Sequence, residues 1–138
     1  PQPERSGGLS VYAADAAVLV AAAGVRGRPT DHLRAFSHDA RLMSRLAALH
    51  ALGDVWAMGA APQVALAQVT LPPLGAELQS RMLAEIIEEA AATFRAAGAD
   101  VVGGHSTAGA ELTIGFTVTG TAPRIVAKAG ARPGDALI

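Results

Sequence analysis

The sequence predicts an α/β (α+β) fold in which a mixed, mostly antiparallel sheet is covered by two long helices. Two stretches, one starting near Ser37 and one near Ala76, carry apolar residues at helical spacing. The segments between and after them are alternating or continuously apolar, as strands are. The 138 residues are 51% hydrophobic and 17% charged, which suffices for the core of one domain and argues against disorder.

The N-terminal part has the least regular pattern. Residues 1–10 are rich in Gly, Pro and polar side chains and are predicted to form a flexible tail. Residues 11–21 are predicted to form a strand, 24–29 a turn-rich break, and 32–36 a second short strand. The domain proper is therefore expected at residues 11–128.

The first helix is predicted to start near Ser37, a good N-cap residue, and to end near Met58. Gly59 is a plausible C-terminal stop and Pro62 prevents continuation. The predicted core stripe of this helix consists of Leu42, Leu46, Leu49 and Gly53.

The second helix is predicted from about residue 76 to residue 97, where Gly98 terminates it. Its core face should consist of Leu78, Met82, Ile86, Ala90 and Phe94. The preceding segment, residues 62–71, is apolar on both faces, which predicts a strand covered on both sides.

The C-terminal part contains the clearest strand. Residues 111–121 alternate apolar residues with threonine and glycine, which is typical of a half-buried strand. Residues 100–102 are predicted to be a short strand that runs into the Gly-Gly-His-Ser sequence at 103–106. Residues 129–138 are turn-like and then become apolar, so we expect them to begin a connection to a further domain.

Composition excludes several function classes. The formal net charge is −1, so no basic field exists to hold nucleic acid. The sequence has no cysteine, which excludes disulfides, thiolate nucleophiles and Cys-based zinc sites within these residues. No apolar run is long enough to cross a bilayer. We expect a cytoplasmic protein without a membrane or nucleic-acid partner.

Three aspartates are candidates for metal binding. Asp15 interrupts an apolar strand, and Asp54 falls in the last turn of a helix, where the macrodipole repels a carboxylate. Asp31 precedes the next strand. Residues that are locally disfavoured tend to mark functional sites, and three carboxylates could converge on a cation such as Mg²⁺. The residues alone favour the structural interpretation, in which each acid caps a turn or pairs with an arginine, because isolated acids are usually structural or solvated.

The Gly103, Gly104, His105 and Ser106 sequence is a candidate phosphate cradle. Two glycines permit close backbone approach, and their N–H groups can bind phosphate oxygens. A tight turn between strands explains the same residues equally well. No Gly-Lys-Ser/Thr follows, so this is not a Walker A loop.

Several segments together resemble the selenophosphate synthetases. His50-Ala-Leu-Gly-Asp-Val-Trp-Ala-Met-Gly-Ala-Ala-Pro62 is similar to their Asn-Ala-(Leu/Ile)-Ser-Asp-(Ile/Val)-(Tyr/Phe)-Ala-Met-Gly-Gly-x-Pro segment. The Gly-Gly-His-Ser sequence, the Thr-Val-Thr-Gly sequence that ends at Gly120, and the turn at residues 130–135 also have counterparts there. The likeness covers about residues 11–138 in the right order. More loosely, the chain resembles the wider superfamily of aminoimidazole ribonucleotide synthetase and thiamine-monophosphate kinase.

The resemblance implies an aminoimidazole ribonucleotide synthetase N-terminal-like fold whose sheets pair into a barrel in a homodimer. It implies Mg²⁺ as cofactor and ATP as substrate, with Asp15, Asp31 and Asp54 at the metal. It further implies that Asp31, Asp54 and residues 103–106 contact ATP, and it assigns no catalytic residue. The reaction would convert selenide, ATP and water into selenophosphate, AMP and phosphate.

The chain also departs from that family. The first aspartate of the family's Asp-Asp pair is Ala14 here, its usual asparagine is His50, and the serine before the metal aspartate is Gly53. The glycine-rich loop with Cys or Sec and a lysine, and the C-terminal domain, are missing from these residues. We therefore expect no turnover from the fragment, and fusion to a flavin oxidoreductase, as in some relatives, stays open. Another ATP-using superfamily member or a non-catalytic dimerisation module are the alternatives.

Overall fold

A six-stranded mixed sheet carries two helices in the computed structural model, which describes residues 9–10, 16–21, 24–124, 126 and 132–136. The elements are β1 (Leu9–Ser10), β2 (Ala16–Ala21), β3 (Gly24–Arg34), α1 (Ala40–Ala57), β4 (Ala61–Leu71), α2 (Ala76–Ala96), β5 (Asp100–Ala108) and β6 (Thr113–Ala122). The strand order is β1-β2-β3-β6-β4-β5, and among the described strands only the β4–β5 pair is parallel. The predicted fold class is confirmed.

The predicted break at residues 24–29 is wrong, because β3 runs without interruption from Gly24 to Arg34. This segment pairs with β2 on one side and β6 on the other, and these ladders outweigh the local turn preference of Gly and Pro. Leu9–Ser10, placed in the tail by the sequence, form β1.

Helix α1 begins at Ala40, because Asp39 rather than Ser37 is its N-cap. Asp39 Oδ1 accepts a hydrogen bond from the Leu42 N–H at 3.0 Å, while Ser37 Oγ accepts one from the Asp39 N–H at 3.2 Å. The helix ends at Ala57, and Gly59 then adopts a φ of 70°, which favours glycine. The predicted end near Met58 is thus confirmed.

The predicted core stripe of α1 is wrong. The buried residues of the helix are Ala40, Met43, Ser44, Ala47, Ala48, Ala51, Leu52 and Val55. By contrast Leu42, Leu49 and Trp56, which we call the outer stripe, are 40%, 43% and 49% exposed. The helix is apolar on two sides, so periodicity alone could not decide which side faces the sheet.

Helix α2 buries the C-terminal part of its predicted face. Ile86, Ala90 and Phe94 are fully buried, whereas Leu78 near the N-terminus of the helix is exposed. The Phe94 ring packs edge-on against Phe116 of β6, with centroids 5.1 Å apart. This contact ties α2 to the middle of the sheet.

The two helices are joined by polar contacts as well as packing. The buried Ser44 Oγ donates a hydrogen bond of 2.7 Å to the Ile86 carbonyl oxygen. Arg41 pairs with Glu88 at 2.9 Å, and this hydrogen bond raises the pKa of the Arg41 guanidinium above its ordinary value. Because exposed ion pairs contribute little to stability, we attribute the helix pairing mainly to apolar burial.

The helices cover one face of the sheet and leave the other open. On β4 the side chains of Ala65, Ala67 and Val69 are buried beneath the helices, while Val64 and Leu66 are exposed on the opposite face. We call this second surface the open face; its residues on the three strands β3, β4 and β6 include Thr30, His32, Leu66, Gln68, Thr70, Thr113 and Thr117. The cover predicted on both sides of β4 is therefore not supplied within the described chain. No described helix is long and apolar enough to cross a membrane.

Candidate nucleotide and metal site

Asp31 lies on β3, on the face that the helices cover. It pairs in register with the buried Phe116 of β6. Its Oδ2 is 2.7 Å from His50 Nε2 of α1, and its Oδ1 accepts a hydrogen bond of 3.0 Å from the His32 N–H. The Asp31 side chain is 26% exposed. Both carboxylate oxygens are thus held in place between the sheet and α1.

Asp54 lies four residues after His50, so the two side chains share one face of α1. The side chain of Asp54 is half-buried. Its backbone carbonyl oxygen accepts a hydrogen bond from the Met58 N–H in the last turn of the helix. The last turn contains no basic residue, and no ion pair of Asp54 is found within the described ranges. Among the described residues, no cation therefore offsets the repulsion between this carboxylate and the negative end of the helix dipole.

Asp15 lies outside the described residues. The next residue along the chain, Ala16, pairs with Pro29, two residues before Asp31. Within the part that the structure describes, no three His, Asp or Glu side chains lie close enough to hold a metal ion together. The carboxylates of Asp31 and Asp54 nevertheless suit a hard cation, which commonly completes its coordination with water and phosphate.

Residues 103–106 lie in the middle of β5. The alternative interpretation of these residues as a tight turn between strands is therefore wrong. They pair in parallel register with β4, Gly104 opposite Ala67 and His105 opposite Gln68. A Cβ on Gly104 would lie 2.8 Å from Ala67 N and overlap the Ala67 carbonyl oxygen, so the close approach of β4 requires glycine there. The side chains of His105 and Ser106 are exposed and alternate between the two faces.

Asp31 and the Gly-Gly-His-Ser residues lie far apart within one chain. Asp31, Phe116, Ala67 and Gly104 form one row across the sheet, so Asp31 and Gly104 are separated by three strand spacings. At about 4.8 Å per spacing, this separation is roughly 14 Å. The described β5 is also an edge strand, with no partner strand on its outer side.

The arrangement of strands and helices matches a known family. A family model described as "AIR synthase related protein, N-terminal domain" matches residues 13–122, which include all but the first short strand of the sheet. The chain belongs to this family. The resemblance stated from the sequence motifs is thereby confirmed.

Relatives of this AIR synthase-related chain include enzymes named selenide, water dikinase. One from Nitratidesulfovibrio vulgaris is 45% identical over 96 residues, which cover 68% of this chain and 27% of the relative. Another from Trichlorobacter lovleyi is 33% identical over 140 residues, covering 100% of this chain and 38% of the relative. The chain thus spans less than two fifths of the length of either relative.

Solved structures share the fold. AaThiL complexed with AMPPCP and TMP has a TM-score of 0.72 and 24% identity, over 88% of this chain and 40% of that one. Thiamine monophosphate kinase from Aquifex aeolicus has a TM-score of 0.68 and 23% identity, over 89% and 42%. At this level of identity the likeness shows the fold alone.

His50 is a residue of this candidate site that the sequence motifs did not indicate. The sequence predicted only that it would be packed or hydrogen-bonded within the helix. Two signals pointed further: its spacing of four residues from Asp54, and its position where the resembling family has asparagine. The contact with Asp31 was not accessible, because it joins residues 19 positions apart on different elements.

Proposed function

We propose that this chain is the ATP- and magnesium-binding N-terminal part of a selenide, water dikinase, an ATP-dependent phosphotransferase. The observation that carries the proposal is the grouping around His50: Asp31 of β3 contacts it and Asp54 follows it by one helical turn. Two carboxylates from separate elements, one of them in no ion pair with a residue that the structure describes, suit a metal–nucleotide complex. The names of the two relatives support the selenium chemistry.

Asp31 and Asp54 would hold Mg²⁺, which would supply positive charge to the ATP phosphates in the conversion of selenide, ATP and water into selenophosphate, AMP and phosphate. The chain's own contribution would be placement. Asp31, fixed by His50 and by the His32 N–H, and Asp54, fixed on α1, would orient the metal-bound phosphates. Asp15 is proposed as the third carboxylate, since it adjoins Ala16, whose partner Pro29 is close to Asp31 along β3.

We further propose that a second copy of the chain completes the nucleotide site. The separation of roughly 14 Å between Asp31 and Gly104 argues against one chain using both groups on the same phosphates. Pairing of two sheets into a barrel would cover the open face with Val64 and Leu66 and would occupy the edge of β5. Residues 103–106 would then approach the nucleotide held by the partner's aspartates.

The proposed enzyme also requires parts of the protein that lie outside these 138 residues. A C-terminal domain of the same protein, and a glycine-rich loop with Cys or Sec and lysine, would complete the reaction. We expect the 138-residue chain alone to bind without turning over. A flavin oxidoreductase domain fused to the same protein is a compatible arrangement.

Calorimetry with a non-hydrolysable ATP analogue, with and without Mg²⁺, tests the proposal. We expect magnesium-dependent binding. Equal affinity for the analogue with and without Mg²⁺ would show that nucleotide binding does not involve the metal. An absence of binding at high protein concentration would favour a non-catalytic dimerisation module instead.

Asp54→Asn tests the central ligand, because it keeps the shape of the side chain and removes its charge. Without ligand, the variant should be as stable as the parent or up to about 1 kcal/mol more stable, since the helix dipole no longer repels a carboxylate. With Mg²⁺ and the ATP analogue, it should lose the rise in melting temperature that the parent shows. Asp100→Asn, which changes an exposed aspartate at the start of β5, is the matched control and should keep that rise.

Two results would contradict the role of Asp54. Destabilisation of the unliganded variant would make Asp54 a structural residue. A ligand-induced rise that survives the substitution would remove it from the metal site.

The second candidate function is that of another ATP-using member of the superfamily, such as a thiamine-monophosphate kinase. This candidate is included because the chain shares its fold with AaThiL complexed with AMPPCP and TMP. Assays of the full-length protein with ATP and either selenide or thiamine monophosphate distinguish the two. Phosphorylation of thiamine monophosphate without selenophosphate formation would replace the first proposal by the second.

A further inference from the structure

We propose that the groove between α1 and α2 is the surface on which the downstream part of the same protein, beyond these 138 residues, docks. We call this surface the helix groove; it is lined mainly by Leu49, Leu52 and Trp56 of α1 and by Thr93, Ala96 and Ala97 of α2. The inference rests on the proposed function in one respect, because it takes the chain as the N-terminal part of a longer enzyme. It adds the surface through which that enzyme holds its next part.

The helix groove exposes bulky apolar side chains that lie side by side. Its volume is about 310 Å³. Leu49 and Trp56 are 43% and 49% exposed, whereas Leu52, which also lines the groove, is fully buried. Adjacent exposed side chains of this kind are typical of interaction surfaces, and tryptophan is enriched among the residues that carry binding energy. The groove therefore has the character of a docking surface.

The charge on the groove wall comes from Arg45, which is already paired. Arg45 Nε donates a hydrogen bond of 2.6 Å to Glu89 Oε1, and the Glu89 side chain is only 15% exposed. The neighbouring carboxylate cancels most of the attraction that the guanidinium would exert on an anion. The helix groove therefore suits apolar side chains of a polypeptide better than a phosphate or another small anion.

After β6 the chain returns to the end of α1 that borders this groove. The Val126 N–H donates a hydrogen bond of 3.1 Å to the Met58 carbonyl oxygen. Val126 Cγ2 would lie 3.2 Å from a Cβ on Gly59. Trp56 is two residues before Met58, at the same end of the helix. A segment that follows Val126 therefore starts close to the Trp56 end of the helix groove.

The relatives supply an occupant of sufficient size. The family model that matches this chain describes an N-terminal domain. The relative from Trichlorobacter lovleyi matches 100% of this chain, yet the match covers only 38% of that relative. In a protein of that length, a covalent connection gives the further residues a high effective concentration at the groove. A second copy would instead have to offset the full entropic cost of association, so the downstream part is the favoured occupant.

Docking in the helix groove would also bring the downstream part to the candidate site. Asp54 and Trp56 are two residues apart near the end of α1. Side chains two positions apart point to nearly opposite sides of a helix. The groove can therefore be covered while the Asp54 side chain stays open to a ligand.

Cysteine labelling of the full-length protein tests whether the groove is covered. Ala96→Cys places a thiol in the groove, and Ala84→Cys is the matched control, because both alanines are exposed on α2 but Ala84 does not line the groove. Alkylation by iodoacetamide is followed by mass spectrometry of the peptide that carries each new thiol, so other cysteines do not interfere. Relative to the rates in denaturant, we expect Ala96→Cys to react at least about tenfold more slowly than Ala84→Cys. Equal relative rates would overturn the proposal.

Leu49→Asp tests whether the apolar wall holds the cover in place. Combined with Ala96→Cys, it should raise the alkylation rate to within about twofold of the control, because burying an unpaired carboxylate is costly. Leu78→Asp, which changes a leucine that is 54% exposed outside the groove, should leave the protection unchanged. Both leucines are exposed, so both variants are expected to fold. Protection that persists in the Leu49→Asp variant would contradict docking in the groove.

A photo-cross-linker identifies the occupant. Benzophenone maleimide is attached to the new thiol of the Ala96→Cys variant, and the peptides joined by irradiation are sequenced by mass spectrometry. We expect a cross-link within one chain to a peptide downstream of these 138 residues, at every protein concentration. A cross-link to an upstream peptide would overturn the proposal. So would a cross-link between two chains that disappears on dilution, which would identify a second copy as the occupant.

The outcomes separate this inference from the proposed function. Magnesium-dependent binding of the ATP analogue by a full-length protein whose Ala96→Cys thiol is unprotected would overturn the docking and leave the proposed function. A downstream cross-link in a protein that binds the analogue equally with and without Mg²⁺ would overturn the metal role and leave the docking.

Discussion

In α2 the largest apolar side chains near the middle of the sheet face inward, whereas in α1 several of the largest face outward. Ile86 and Phe94 of α2 are completely buried. The face of α1 toward the sheet is rich in alanine, and Leu49 and Trp56 of the outer stripe are exposed. Small residues let a helix lie close to the strands beneath it, and α1 is the helix that brings His50 within 2.7 Å of Asp31. The comparison indicates that α2 is anchored to the core through a few large side chains, whereas α1 lies on it through many mostly small ones and carries residues of the candidate site.

The largest expected effect is on the α2 side of this comparison. Phe94→Ala should lower the free energy of unfolding by about 3–5 kcal/mol, because it removes a fully buried ring and its edge-on contact with Phe116. Denaturant unfolding measures the change. Leu78→Ala on the exposed start of the same helix is the control and should change stability by less than about 0.5 kcal/mol. Similar losses for both variants would mean that α2 is not anchored through Phe94.

The second prediction concerns how closely α1 approaches the sheet. Ala51→Leu should destabilise the chain by about 1–3 kcal/mol, because Ala51 is completely buried and added atoms must displace their neighbours. Leu49→Ala, two positions away on the outer stripe, should cost much less. Thermal melts of both variants make the measurement. If the leucine at position 51 were accommodated without loss, α1 would not be packed tightly on the strands.

The smallest predicted effect compares the starts of the two helices. Asp39 caps α1 through its side chain, whereas the N-cap of α2, Gly75, makes no side-chain hydrogen bond. Asp39→Ala should therefore lower the free energy of unfolding by about 1 kcal/mol. Gly75→Asp should raise it by roughly a few tenths of a kcal/mol. Space is available, since a Cβ on Gly75 would have no neighbour within 4 Å. Equal and negligible changes in both unfolding curves would show that capping does not distinguish the helices.

The sequence predicted the buried face correctly in those helices and strands that have apolar residues on one side only. In β6, apolar residues alternate with threonine and glycine, which correctly predicted that Ile114, Phe116 and Val118 face inward. Only one face of that strand is apolar. The outer stripe of α1 was placed in the core because the opposite side of the helix is apolar as well. Long-range pairing decided the two errors in strands: β3 is held by β2 and β6, and residues 103–106 are held by β4.

The candidate site was only partly accessible to the sequence for a related reason. Asp54 could be singled out because its position in a helix is locally unfavourable, and that position is what the structure shows. The contact between Asp31 and His50 depends on how α1 crosses the end of β3, which no local pattern encodes. The roles of Asp15, Asp31, Asp54 and residues 103–106 in binding stay predictions.

The exposed end of the outer stripe gives the molecule an internal optical reporter. Trp56 is the single tryptophan of the chain and lies two residues after Asp54. Its half-exposed indole borders the groove between α1 and α2 beside Leu49 and Ala97. The emission maximum of an indole moves to shorter wavelength when water is removed from around it. Intrinsic fluorescence can therefore follow any event that covers this groove or reorganises the end of α1, without a label.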